Sequence, residues 1–417
     1  MKRLKWPGEA AVIVSVVHVC KGDVVGPYWL SGRAVDRITA FLFHAGGHED
    51  AATLAENEGK SFVGSYVLGM GFTFDDMGKE GVASSLADMQ QLIEKNPRNA
   101  ERIFPYLGGE EVNDSPTHTN RRFVINFAQL TEASARMYPD LIEIVERKVK
   151  PERILLGDNP DALHRKEFWW QWGRYTPALF DAIRGLGRVL VVSRHGDALA
   201  FAFVPAASVY AESIVVFAYQ TYNAFSILQS RVHDSWARFC GSSIKDDLRY
   251  SPSDCFETFP FATKHETNSG LEAAGKTYYE FRADLMVRHN EGLTKTYNRF
   301  HRPDEYSPDI LKLRELHDAM DRAVLDAYGW HDLRPTCEFF PEFDDEDDEE
   351  TESARPRQKR YRYRWPDDIH DEVLARLLAL NRGRAGMPAE PVAAPPRTPR
   401  KSARQKKAVP PDQSKLF

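Results

Sequence analysis

The sequence predicts an α+β fold: a mixed or antiparallel β domain with flanking helices, then a small helical domain and a disordered tail. Three observations carry this. Short β-type runs recur between residues 103 and 263, "RFVINF" at 122–127, "RVLVVSR" at 188–194 and "ALAFAFVP" at 198–205, with helical stretches scattered among them. Past Pro260, segments 268–293 and 307–328 hold long helical patterns with no strand signal. From about residue 383 the chain is rich in Pro, Ala and Lys, a composition that does not build a core.

Each element has its own signal. "AAVIVSVVHVC" at 10–20 reads as a buried strand rather than a signal peptide, because Trp6, Pro7 and Glu9 interrupt its approach and no small-residue cleavage site follows. Residues 61–74 are rich in Val, Phe, Tyr and Gly. Within them "VLGMGF" (67–72) is expected to be a tight turn, since it lacks the third glycine and the acidic partner of a cofactor loop. "SSLADMQQLIEKNP" (84–97) predicts a helix that Pro97 stops. Residues 221–240 place Phe225, Leu228, Val232 and Trp236 at helical intervals, predicting one amphipathic helix that ends at Gly241. Residues 367–382 predict a final helix. These readings divide the chain at 1–102, 103–263, 264–382 and 383–417, with an acidic linker over 342–354; no internal repeat is visible.

Composition narrows the function. A chain of 417 residues with 42% hydrophobic content can bury a sizeable core, and its 61 acidic against 55 basic residues rule out a uniformly basic nucleic-acid coat. Local charge is more informative: Asp344 to Glu352 is nearly all acidic, whereas "RPRQKRYRYRW" (355–365) and "RTPRKSARQKK" (397–407) are strongly basic. Cys20, Cys240, Cys255 and Cys337 form no C-x-x-C pair, which argues against a zinc ribbon or a disulfide framework and suits a cytoplasmic protein. No run approaches the roughly 20 apolar residues of a membrane helix. The histidines His18, His44, His48, His118 and His195 read as core or surface positions, so no metal site is expected. The carboxylates of "PERILLGDNPDALHRKE" (151–167) lie on a Pro-interrupted helical pattern that does not suit a nuclease centre. No polar-Pro-Pro-aromatic turn of the kind that holds a flipped base is present; the nearest strings are "APPR" (394–397) and "DSPT" (114–117). No catalytic residue is therefore assigned.

Six strings nonetheless occur together in order: "IFPYLGGEEVNDSPTHTNRRFVINF" (103–127), "RYTPALFDAI" (174–183), "RVLVVSR" (188–194), "GSSIKDDLRYSPSDCFETFPF" (241–261), "EGLTKTYNRFH" (291–301) and "LRELHDAMDRAVLDAYGW" (313–330). They resemble the C-terminal half of MmeI-like restriction-modification enzymes, single-chain adenine-N6 DNA methyltransferases often fused to a nuclease. The resemblance implies a DNA target-recognition domain followed by a helical domain. The family's methylase core is missing from this chain, so residues 1–102 would correspond to its closing segment and junction. The implied partners are double-stranded DNA and a separate methyltransferase catalytic subunit, with S-adenosylmethionine bound by that subunit and no cofactor by this chain. Restriction-modification or phage defence is the implied setting. Two other readings stay open: a complete methyltransferase or nuclease with an unfamiliar active site, and a scaffold that binds no DNA.

In an extended segment Lys245, Asp247 and Arg249 would share one face. A lysine suits the guanine acceptors and a carboxylate the cytosine N4 donor, so Lys245 with Asp247 matches the two edges of one G·C pair. In the family, a charged pair at matching positions reads a base pair beside the methylated adenine. Arg249 and Arg194 are the other expected base readers. Ser193, His195, Ser242, Ser243, Arg121, Arg122, Lys295 and Arg299 are the expected contacts to the DNA backbone. Finally, "QSKLF" (413–417) resembles the Gln-x-x-Leu-Phe peptides that dock on the bacterial replication clamp, through Gln413, Leu416 and Phe417.

Overall fold

The computed structural model describes residues 4–5, 13–19, 21, 27–44, 49–77, 81–244, 247–341 and 361–386, with side chains left out at 4–5, 13–14, 242–244 and 247. Two four-stranded sheets organise it. The first runs in the order Ala202–Pro205, Arg188–Ser193, Ile214–Phe217, Ser61–Val63, antiparallel throughout. The second runs Val209–Tyr210, Ile103–Leu107, Arg122–Ile125, Thr73–Phe74, with the first pair parallel and the others antiparallel. The fold is α+β, and no described helix is long and apolar enough to cross a membrane.

The central strands of the first sheet, "VLVV" at 189–192 and "IVVF" at 214–217, are buried without interruption. Continuous burial marks a strand covered on both faces, where alternation is lost. The second of these strands was not expected from sequence. Helices Tyr222–Gln229, Ser269–His289 and Pro308–Ala327 share the apolar core of this sheet. One buried cation, Arg282, ties them in: its guanidinium donates to Gln229 Oε1 (3.1 Å), the Tyr297 hydroxyl (2.9 Å) and the Phe201 carbonyl. The second sheet carries its own core, with helices Leu86–Lys95 and Pro139–Lys148 and three tryptophans, Trp169, Trp170 and Trp172. Ser85 starts the first of these helices with a reciprocal cap, accepting from the Asp88 amide (3.0 Å) while Asp88 accepts from the Ser85 amide (3.1 Å).

Several sequence expectations change. The run at 10–20 is no buried strand in its described part: its one strand, Ile13–Val14, pairs with Leu4–Lys5, and Val16, Val17 and Val19 are exposed because no sheet among the described residues covers them. Residues 221–240 form two helices, Tyr222–Gln229 and Arg231–Cys240. Ser230 breaks them, since its extended backbone and its side chain, which accepts from the His233 amide (3.4 Å), start a new helix. No boundary separates 102 from 103 in the core, because Ser61–Val63 and Thr73–Phe74 are strands of the two sheets. The helices after residue 264 likewise share the first core and do not enclose one of their own. The acidic linker and the tail from 387 lie outside the described residues.

The chain crosses from the first sheet to the second at Gly64 and Ser65, whose amides donate to the carbonyls of Ile214 (3.1 Å) and Tyr210 (2.8 Å). A Cβ at Gly64 would stand 2.1 Å from the Ala211 carbonyl oxygen. Gly64→Ala therefore forces the two backbones apart and is expected to cost about 3 kcal/mol or more. The midpoint of urea unfolding measures it.

Candidate nucleic-acid interface

The segment that carries most of the expected base readers folds as a hairpin. Strands Ser242–Ile244 and Asp247–Arg249 pair antiparallel with Ile244 opposite Asp247, and His195–Gly196 joins as a third strand beside the second. Of the run expected to be extended over 245–249, the described part, Asp247–Arg249, is a strand. Lys245 lies outside the described residues, as do the side chains of Ser242, Ser243 and Asp247.

Two features seat the hairpin. Gly241 ends helix Arg231–Cys240, and a Cβ there would meet the Ala237 carbonyl at 2.5 Å and Leu248 at 2.8 Å, so glycine permits the close turn. Leu248 is buried beneath it, whereas its neighbour Arg249 is only partly buried. Strand alternation thus sends Arg249 to the face away from the core, directly across from the exposed His195. Beyond the hairpin, Tyr250, Phe256, Phe259 and Phe261 are all buried. They pack as a base for the hairpin and present no stacking surface. Burial pushes the Cys255 thiol up to about 12, so it stays protonated and inert.

Arg194 sits where strand Arg188–Ser193 turns into the third strand. Its amide donates to the Ser213 carbonyl and its carbonyl accepts from the Tyr250 amide, both at 2.8 Å. The Ser193 hydroxyl donates to the His195 carbonyl (2.8 Å), which makes Ser193 part of the corner. The Arg194 guanidinium donates to the Tyr66 hydroxyl (3.0 Å), and Arg174 lies over the Tyr66 ring, 5.7 Å from its centre. Arg174, Arg194 and Arg249 have no carboxylate partner among the described residues. Sequence reasoning missed Tyr66 and Arg174. Arg174 opens one of the six strings, but nothing in its spacing joins it to Tyr66; the antiparallel bridge between the two residues does.

The other expected backbone contacts fare differently. Arg122 is held in a two-bond ion pair with Glu111, Nε and Nη2 each donating over 2.7 Å, and the Glu111 carboxylate, 1% exposed, also accepts from the Gly108 amide. Arg299 is caged by Glu291, Glu305 and Ser307. Both guanidinia hold the fold together, and their donors are spent on carboxylates and not offered to a DNA backbone. Arg121 is exposed and pairs with Glu110, and Lys295 is exposed with no partner among the described residues.

Residues 59–263 match the family described as "MmeI, target recognition domain". This segment is an MmeI-like target recognition domain. The chain is similar to a solved structure described as the Type IIL restriction-modification enzyme MmeI in complex with DNA, at 16% identity and a TM-score of 0.53. The match covers 85% of this chain and 40% of that one, so this chain spans well under half the length of MmeI. At that identity the likeness is one of fold. Comparison with curated proteins finds no significant match. The hairpin, the Arg194 corner and Tyr66 all fall inside the recognition domain, whereas Lys295, Arg299 and the strand Tyr361–Arg364 lie beyond it.

Two expectations follow for the recognition domain. Glu111→Ala would strand the mostly buried Arg122 and cost about 3–5 kcal/mol, against under about 1 kcal/mol for the exposed Arg121→Ala, both read by urea unfolding. His233 braces the hairpin base, its Nε2 2.9 Å from the Tyr250 hydroxyl, and burial lowers its pKa from 6.5 to about 3. Between those values the unfolded chain binds a proton that the folded chain does not, so His233 makes stability fall as pH drops from 6.5 toward 3. His233→Gln should make unfolding less pH-dependent across that window, in a comparison of urea midpoints with the unmodified protein.

Proposed function

We propose that this chain reads a DNA sequence for an adenine-N6 methyltransferase of a restriction-modification or phage-defence system, and that a separate catalytic subunit binds S-adenosylmethionine and transfers the methyl group. One observation carries the reading: within a target recognition domain, Arg174 and Arg194 meet at Tyr66 at one end of the first sheet, and Arg249 lies on the hairpin strand beside that corner, none of the three with a carboxylate partner among the described residues. Unpaired guanidinia at a strand end suit phosphate oxygens and the guanine edge. In this reading Lys245 and Asp247 address one G·C pair, Arg249 and Arg194 read or grip beside it, and Ser193, His195, Ser242, Ser243, Arg121 and Lys295 lie along the backbone. Tyr66 holds Arg194 in place. The protein acts in the cytoplasm, and Gln413, Leu416 and Phe417, which lie outside the described residues, dock it on the replication clamp.

Duplex binding across a library of sites, with and without a candidate methyltransferase, tests this. Lys245→Glu with Asp247→Arg should exchange G·C for C·G preference at one position. Arg249→Gln should cost about 1–3 kcal/mol at one base pair, while Arg174→Ala should weaken all sequences alike and reduce the salt slope by about 1. Binding that ignores sequence in every variant would overturn the reading. Methyl transfer by the purified chain alone would replace it with that of a complete enzyme.

A further inference from the structure

The recognition hairpin is tied to a part of the chain that lies well beyond the recognition domain. Asp197 follows directly on the strand His195–Gly196 that flanks the hairpin. Its carboxylate accepts from Arg362 Nη2 at 2.9 Å, and its backbone carbonyl accepts from Arg238 Nη2 at 2.8 Å and from Arg362 Nη2 at 3.2 Å. Arg362 belongs to the strand Tyr361–Arg364, which pairs with Glu338–Pro341. Arg238 belongs to the helix that leads into the hairpin, and its Nε donates to Asp234 (3.0 Å).

The two arginines are not equivalent. Arg238 comes from the element just before the hairpin, so it can hold Asp197 only relative to that element. Arg362 comes from a strand anchored elsewhere: the Tyr363 amide donates to His301 Nδ1 (3.1 Å), and the Tyr363 ring packs against Phe300 and Phe339. The side chain of Arg362 is 9% exposed and that of Asp197 37%, so the arginine is the buried and anchored member of the pair. Strand His195–Gly196 is an edge of its sheet, with two residues paired, and needs an outside support to stay in register.

We infer that Arg362, with Arg238 and through Asp197, is a positioning residue for sequence reading, which makes the strand Tyr361–Arg364 a working part of the recognition apparatus. The inference rests on the reading of the preceding subsection. A base-reading side chain must be held to within a fraction of an ångström, so a loosened edge strand blurs selection while leaving phosphate attraction intact.

Hydrogen exchange of the full chain without DNA, together with duplex selection, tests it in Arg362→Gln, Arg362→Lys and Asp197→Asn. Arg362→Gln and Asp197→Asn should speed exchange of the Tyr250 amide, which donates to Arg194, by roughly tenfold or more, with the Ser61–Val63 and Ile214–Phe217 pairing unaffected. Both should flatten sequence preference at an unchanged salt slope, and Arg362→Lys should recover part of each effect. Exchange that rises evenly over the chain, or not at all at Tyr250, overturns the inference, as does faster local exchange with preference intact. If the unmodified protein selects no sequence, the proposed function fails, and the exchange result still decides whether the tie holds the hairpin.

Discussion

A buried ion pair sets where the hairpin stands. Arg231, the first residue of the helix that leads into it, donates through its backbone amide to Asp321 Oδ1 (2.9 Å) and through Nη1 to Asp321 Oδ2 (2.5 Å). Burial opposes both charges, yet each offsets the cost for the other: the Asp321 carboxylate raises the Arg231 pKa, and His317 and Arg231 lower that of Asp321. Such a pair adds little net stability, but breaking it is expensive, so it specifies an arrangement more than it strengthens one. It fixes helix Arg231–Cys240 against helix Pro308–Ala327, and hence the place at which Gly241 releases the chain into the hairpin.

From that point the structure divides its arginines by partner. Those that join elements, Arg122, Arg231, Arg299 and Arg362, meet carboxylates. Those that make no ion pair among the described residues, such as Arg282 and Arg314, spend their donors on carbonyls, hydroxyls and an amide oxygen. Arg174, Arg194 and Arg249 do neither in full, and they stand at one corner. These three cations are thereby gathered on a chain of net charge −6 from segments that are not themselves rich in Lys and Arg.

Much of the architecture was legible. The strand runs at 122–127 and 188–194, the capped helix before Pro97 and the long helices near 268–293 and 307–328 all appear, because each carries a period or a cap that local physics enforces. The break at Ser230 was hidden, since Phe225, Leu228, Val232 and Trp236 are all buried whether the helix is continuous or not. The strand Ile214–Phe217 was overlooked because four apolar residues in a row show no alternation. The valines at 16, 17 and 19 misled for the opposite reason: a β-type run becomes a buried strand only where a sheet receives it.

For the candidate site, the sequence by itself determined which residue types were on offer: the Lys-Asp-Arg cluster, the Ser-Arg-His corner and the aromatic run behind them. The six strings in order, through their resemblance to MmeI-like enzymes, sufficed to point to a target recognition domain. Only the tertiary structure decided which cations were free to act. Arg121, Arg122, Arg194 and Arg299 are equal as letters, and what separates them is whether a carboxylate from a distant element reaches the guanidinium. Tyr66 and Arg174, brought together by a single bridge over more than a hundred residues, had no local signal to betray them. Pairing across such distances is settled by the shape of the closed core, and no short window of sequence contains it.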